Sequence, residues 1–88
     1  MSSVSATVGS PVGLHARPAQ IVAKAAATIG FPVSISKGDT TVNAASILAL
    51  LSLGVSFGDT VTFFTTEPDK DEELARLAEL VTRNLDED

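Results

Sequence analysis

The sequence predicts a two-layer α+β sandwich with the element order β-α-β-β-α-β-α. Three observations point there. Four short segments alternate apolar and polar residues with period two, the mark of strands with one buried face. Three further segments repeat their apolar residues at helical spacing. Every strand offers only one apolar face, and three helices are available to cover it. An antiparallel sheet open to water on one side, with the helices on the other, satisfies all of this.

In the first strand Val4, Ala6 and Val8 alternate with Ser3, Ser5 and Thr7. Gly9, Ser10, Pro11 and Gly13 break it and form a loop. From Ala16 the pattern is helical: Val22, Ala25, Ala26 and Ile29 share a stripe, and Pro18 sits in the first turn, where a missing N–H costs nothing. Gly30 and then Pro32 end that helix. Val33 and Ile35 alternate with Ser34 and Ser36 in a second strand. Lys37-Gly38-Asp39 turns the chain into a short third strand over 40–42, making a hairpin.

Ser46 precedes the apolar run Ile47-Leu48-Ala49-Leu50-Leu51, which stops at Gly54. Serine is a good N-cap and glycine a good C-terminal stop, so this is a short helix. A turn at Phe57-Gly58-Asp59 leads to the fourth strand over 61–66, with Val61 and Phe63 on one face and Phe64 on the other. The last helix places Leu74, Leu77, Ala78, Val81 and Leu85 on one face. Asp69 and Glu72 read as its capping box.

With 88 residues, 44% of them apolar, the chain is expected to form one domain spanning 1–88. It has no Cys, so disulfides, thiolate metal sites and thiol nucleophiles are excluded. The net charge of -5 is unevenly spread: nine of the eleven acids lie from Glu67 onward, where the segment sums to -6. Most of that charge reads as the solvated face and dipole-favoured first turn of the last helix. No basic stripe exists to meet nucleic-acid phosphates. Met1-Ser2-Ser3-Val4 lacks the basic start and apolar run of a signal peptide, and no segment is long enough to span a membrane. A cytoplasmic protein without membrane insertion is the expectation.

The informative stretch is Gly13-Leu14-His15-Ala16-Arg17-Pro18-Ala19. His15 is the only histidine and stands where a loop meets a helix start. A neutral imidazole, with a reference pKa of ~6.5, is a nucleophile at ordinary pH. Helix starts present unpaired amides and a partial positive charge. A phosphoryl group on His15 could accept from the amides of Ala16 and Arg17, and the Arg17 guanidinium adds forked donors suited to phosphate oxygens. The competing reading is an ordinary N-cap or surface histidine. One histidine without cysteine supplies too few ligands for zinc. No G-x-S-x-G elbow is present for a serine hydrolase. No metal and no cofactor are expected.

The stretch from Gly13 to Ala19 resembles the active-site motif of the HPr family, the histidine-containing phosphocarriers of the bacterial sugar phosphotransferase system. A second segment, Val42-Asn43-Ala44-Ala45-Ser46-Ile47-Leu48 running on through Leu51-Ser52-Leu53-Gly54-Val55, is similar to that family's regulatory-serine and short-helix region. The Ala44-Ala45 run resembles actinobacterial members. The resemblance covers essentially the whole chain and implies an open-faced β-sandwich. It implies a phosphoryl carrier rather than an enzyme, charged on His15 Nδ1 by enzyme I and discharged to the A component of a sugar-specific enzyme II. His15 and Arg17 would carry the exchange, with Ala16 and Arg17 binding phosphate. Partners would dock on one surface around the histidine that includes His15, Ala16, Arg17, Ala19, Gln20, Ile47, Leu48 and Leu51, although core packing is the rival role for the three aliphatics at 47, 48 and 51. Ser46 would be a regulatory phosphorylation site for a serine kinase as well as a cap. A shuttling monomer suits this role. A nitrogen-linked carrier with other partners, and a binding module that docks on a transcriptional regulator or kinase without phosphate turnover, are the competing functions. Two positions depart from the family pattern. Val12 replaces a small polar residue that can bond near the phosphohistidine, and Ala45 replaces a lysine used in docking and kinase recognition.

Overall fold

A computed structural model describes residues 1–9 and 16–83, with Ala16 described by its backbone alone. The element order is β1 (Ser2–Thr7), α1 (Ala16–Thr28), β2 (Ser34–Lys37), β3 (Thr40–Asn43), α2 (Ile47–Leu53), β4 (Thr60–Thr65) and α3 (Asp71–Thr82). The strands form one antiparallel sheet in the order β1-β4-β2-β3. This is the expected open-faced sandwich. Observed strand limits fall within one residue of the expected ones in all four strands, with Val8 and Val33 just outside β1 and β2; side-chain alternation cannot tell the last paired residue from the first unpaired one.

The register explains the two faces. Phe63 stands opposite Val4 on one neighbour and Ile35 on the other, and Ile35 stands opposite Val42. That row lies under the helices, where Phe63 and Ile35 are fully buried. One position along, Ser5, Thr62, Ser36 and Thr41 form a row on the opposite face. Ser5 and Thr62 share a hydroxyl hydrogen bond at 2.9 Å. Among the described residues the open face is carried by Ser3, Ser5, Thr62, Ser36, Thr41 and their neighbours, with half-buried Phe64 as its one large apolar side chain.

All three helices feed one core. Val22 and Ala26 of α1, Leu50 and Leu53 of α2, and Leu74, Leu77, Ala78 and Val81 of α3 join Val8, Ile35, Val61 and Phe63 in a single cluster. Leu85, which the helical pattern also placed on that face, lies outside the described residues, as does the loop expected at Ser10, Pro11 and Gly13. No helix among the described residues is long and apolar enough to cross a membrane.

The β2–β3 hairpin closes over Gly38 and Asp39, since Lys37 pairs with Thr40. Gly38 has a φ of 58°, as a two-residue loop beginning with glycine needs. The expected capping box at α3 does not form. Asp69 takes a left-handed φ of 59°, and Lys70 occupies the N-cap position without a side-chain cap. The Lys70 amide instead donates to Ser2 Oγ at 3.1 Å, and Ser2 Oγ donates to the Glu67 carbonyl at 3.0 Å. A buried hydroxyl from the far end of the chain therefore organises the entry to α3.

Two local ties set the surroundings of the segment after β1. Val8 donates to the Asp59 carbonyl at 2.9 Å and accepts from the Gly58 amide at 3.0 Å. Gly9 donates to the Val81 carbonyl at 2.9 Å. A Cβ at Gly9 would collide with the Thr82 backbone. The turn over 56–59 is itself braced. Lys37 Nζ donates to the Gly54 carbonyl at 2.7 Å and pairs with Asp59 at 3.0 Å, while Asp59 accepts from the Ser56 amide at 2.8 Å.

Two tests follow from this packing. Gly9→Ala should lose ~1–3 kcal/mol in urea unfolding, the usual cost of forcing an atom into closed space; a loss below ~0.5 kcal/mol would mean the strand end and α3 part freely. The Ser56 amide, and next Lys37, hold the Asp59 carboxyl below its ordinary 3.8. A lowered folded value stabilises above 3.8, and that contribution disappears as pH falls through the folded value. Thermal midpoints of Asp59→Asn should therefore fall less steeply than wild type below about pH 4. Parallel curves would remove Asp59 from acid stability.

Candidate functional site

α1 begins at Ala16, the residue directly after His15. His15 itself, together with Val12 and Gly13, lies outside the described residues. The first turn of α1 is described from Ala16 onward, and its amides have no intrahelical partners because helices leave their first four N–H groups unpaired. Pro18 sits in that turn and is fully buried, fixing the helix start against the core. α1 has no acidic residue in its first turn. Arg17, exposed, places a cation at the end of the helix where the dipole favours anions. A helix start built this way is improved electrostatically by a bound dianion.

Gln20 is exposed and lies one turn beyond Arg17, and exposed Lys24 follows a turn later, so the three form one polar stripe. Ala19 does not belong to it. It is fully buried, on the inward side with Val22 and Ala23, and is removed from the docking surface expected from the sequence. The reason is geometric: two residues from Arg17, it points across the helix into the core. The Ala16 backbone is helical, which places its amide at the helix start.

α2 is fixed at both ends. Ser46 Oγ accepts from the Ala49 amide at 3.2 Å, and Gly54 closes the helix with a φ of 70°. Asn43 Oδ1 accepts from the Ala45 amide at 2.9 Å, forming an Asx turn before the cap. Leu50 and Leu53 point inward. Leu48 is 78% exposed, and Ile47 and Leu51 are 40% and 41% exposed. A seven-residue helix can bury only one stripe, and here that stripe is Leu50 and Leu53. Core packing is therefore excluded for Leu48 and is only partial for Ile47 and Leu51. Ala45 is half-buried beside the cap.

The two helices are brought together by a shallow groove of about 360 Å³ lined by Gln20, Ala23, Lys24, Ala27, Ala45 and Ile47. Gln20 of α1 and Ile47 of α2 thus line one depression. One exposed residue was missed by reading the sequence. Phe57 is 63% exposed on the turn that follows α2. Its signal was present: an aromatic residue between Ser56 and Gly58, inside a turn rather than within an alternating strand.

Comparison with known proteins agrees with this layout. Residues 2–83 match the PTS-HPr family, described as the PTS HPr component phosphorylation site. The chain is 43% identical over 88 residues to the phosphocarrier protein HPr of Streptomyces coelicolor, covering 99% of this chain and 95% of that protein. It is 35% identical over 81 residues to the phosphocarrier protein NPr of Shewanella violacea, covering 92% and 89%. Its structure resembles the crystal structure of HPr from Bacillus anthracis with a TM-score of 0.83 at 34% identity, covering 91% of this chain and 95% of that one. These matches run through every element from β1 to α3 rather than through one motif, and the chain belongs to the PTS-HPr family of phosphocarrier proteins.

Proposed function

We propose that the chain carries a phosphoryl group on His15, receiving it from phospho-enzyme I and delivering it to the A component of a sugar-specific enzyme II. The observation that carries this reading is the start of α1 at Ala16, immediately after the only histidine, with Arg17 exposed in the same turn. In the charging step the Nδ1 lone pair of neutral His15 attacks phosphorus. The phosphorus–nitrogen bond to the donor breaks, and the donor imidazole leaves with that electron pair. The Ala16 and Arg17 amides and the Arg17 guanidinium stabilise the dianion on His15. Discharge reverses the same displacement toward the acceptor. The 88 residues act as one carrier unit with no turnover of their own. The 43% identity over essentially the whole chain to the HPr of Streptomyces coelicolor supports sugar-system partners.

Gln20, Ile47, Leu48 and Leu51 form the docking face for these partners, with Gln20 one turn along α1 from Arg17. A small apolar patch beside a charged site suits brief, repeated encounters. Ser46 adds control. Its hydroxyl already caps α2, and a phosphate placed there by a serine kinase would put a dianion at the edge of the apolar patch. That charge repels an acidic partner surface.

Labelled phosphoenolpyruvate and enzyme I should transfer an acid-labile, base-stable adduct to wild type and none to His15→Ala. Label persisting in the variant would displace the site. Arg17→Glu should slow transfer at least tenfold with an unchanged melting temperature, and wild-type kinetics would remove Arg17 from the exchange. Ser46→Asp should raise KM for enzyme I, whereas Ser46→Ala should keep KM and lose ~1 kcal/mol of stability with its cap. Equal KM values for all three proteins would leave Ser46 a cap alone.

A further inference from the structure

The two edges of the sheet are finished differently. Val8 donates to the Asp59 carbonyl, one step beyond the Thr7–Thr60 pair. Bonded residues alternate along an antiparallel ladder, so Ser2, Val4 and Ala6 turn their main-chain groups toward β4, and Ser3, Ser5 and Thr7 turn theirs outward. Among the described residues none of those outward amides and carbonyls has a hydrogen-bond partner. At the other edge Ala44 donates to the Val33 carbonyl at 3.0 Å, which leaves only Thr41 and Asn43 facing outward from β3, and the Asn43 carbonyl already accepts from the Ser46 amide at 3.2 Å. Sheet edges are commonly blunted by brevity, lysine, proline or a covering element. β1 has six residues, none charged and none proline. Beside it runs a groove of about 460 Å³, with Ser5 and Thr7 on one wall and Ala75, Ala78, Glu79 and Thr82 of α3 on the other. The two alanines keep the helix wall low. Asp71 and Glu72 share that side of α3 by helical spacing, and both are exposed, as is Glu79. Arg83, past the helix end, offsets only one of these acids. Arg76 lines a different groove, against Ala25 and Thr28 of α1.

From this geometry we infer that β1 is a second interaction site, where an extended, basic segment of another protein adds to the sheet as a fifth strand. The main chain supplies the affinity: the free amides and carbonyls of Ser3, Ser5 and Thr7 pair with the incoming backbone. Specificity comes from the side chains that alternate along the added strand. Those on the helix side enter the groove, where lysine or arginine stems lie along Ala75 and Ala78 and their charged ends reach Glu79 and Glu72. Those on the opposite side continue the hydroxyl row of Ser3, Ser5 and Thr7, and small or hydroxyl residues suit them. Charge decides against a second copy of this chain as the occupant. Its own β1 edge has no basic residue to offer and brings the same three acids with it. The site lies apart from the helices of the carrier surface: β1 and β3 are the two ends of the sheet, and α2 packs at the β3 end.

The probe is a short capped peptide alternating Thr with Lys, titrated into the full chain while amide hydrogen exchange is followed by NMR. At saturation the Ser3, Ser5 and Thr7 amides should exchange about tenfold more slowly, with Val4 and Ala6 little changed because they are already paired. A peptide with proline at alternate Thr positions keeps the charge but cannot form a strand, and should give no protection. Ser5→Pro removes only an outward amide, which an edge strand tolerates, and should weaken binding at least about fivefold. Glu79→Lys leaves β1 intact, covers the case in which Ser5→Pro does not fold, and should weaken binding by a similar factor, about fivefold. Equal binding of the proline peptide, or protection absent from Ser3, Ser5 and Thr7, overturns strand addition. Wild-type affinity in Glu79→Lys overturns the basic character of the partner. Protection of the same amides that rises with protein concentration in the absence of peptide would assign the edge to a second copy and overturn the proposal.

Discussion

One row of side chains, Val4, Phe63, Ile35 and Val42, runs across the sheet beneath the helices, and the rest of the molecule is arranged around the need to keep it dry. A chain of this size has a single apolar sheet face and no second core. All three helices must therefore share it, each contributing one narrow stripe. Helix ends and connecting turns are left at the rim, where backbone amides and spare side chains are available for chemistry. Pro18 fully buried and Arg17 exposed in the same turn of α1 express that division at single-residue scale.

The candidate site depends on features that do little for stability. A cation in the first turn of α1 works against the helix dipole, and exposed Ile47, Leu48 and Leu51 leave apolar surface in water. Where local rules are broken within a chain that otherwise obeys them, function is the usual reason. The bracing found nearby offsets this. Ser46 and Gly54 hold the two ends of α2, Lys37 bridges to the turn beyond it, and Gly9 packs against α3 too closely for any side chain. The side chains of Ile47, Leu48 and Leu51 leave apolar surface in water, but the backbone beneath them is fixed.

Most of this was legible in the amino-acid order because the controlling interactions are local. The Ser46 cap and the Gly54 stop act across three residues, and both were read correctly. Alternation of Val61, Thr62, Phe63 and Phe64 predicted the buried and open faces of β4, because a strand has only two sides. The failures are non-local. Asp69 and Glu72 satisfy the capping pattern, yet a hydroxyl at Ser2, 68 positions from the amide it accepts from, takes over the entry to α3. Ala19 is small enough for either side of a helix, so its type says nothing about burial; only the packing of α1 on the core decides it. Phe57 was read as part of a turn, and its exposure follows from bonds to Val8 and Lys37 that no short-range pattern contains.

The hydroxyl-covered side of the sheet has a bearing on how the molecule meets others. Ser3, Ser5, Ser36, Thr41 and Thr62 present water-like groups with neither ionic charge nor sizeable apolar area. A collision on that side meets hydroxyls and, as its one large apolar side chain, half-buried Phe64, so little prolongs it and no ionic group orients it. Misdirected encounters therefore separate quickly, and dwell time accumulates only where charge and apolar surface coincide. A carrier built this way gains selectivity of approach from its blank side as much as from its adhesive one.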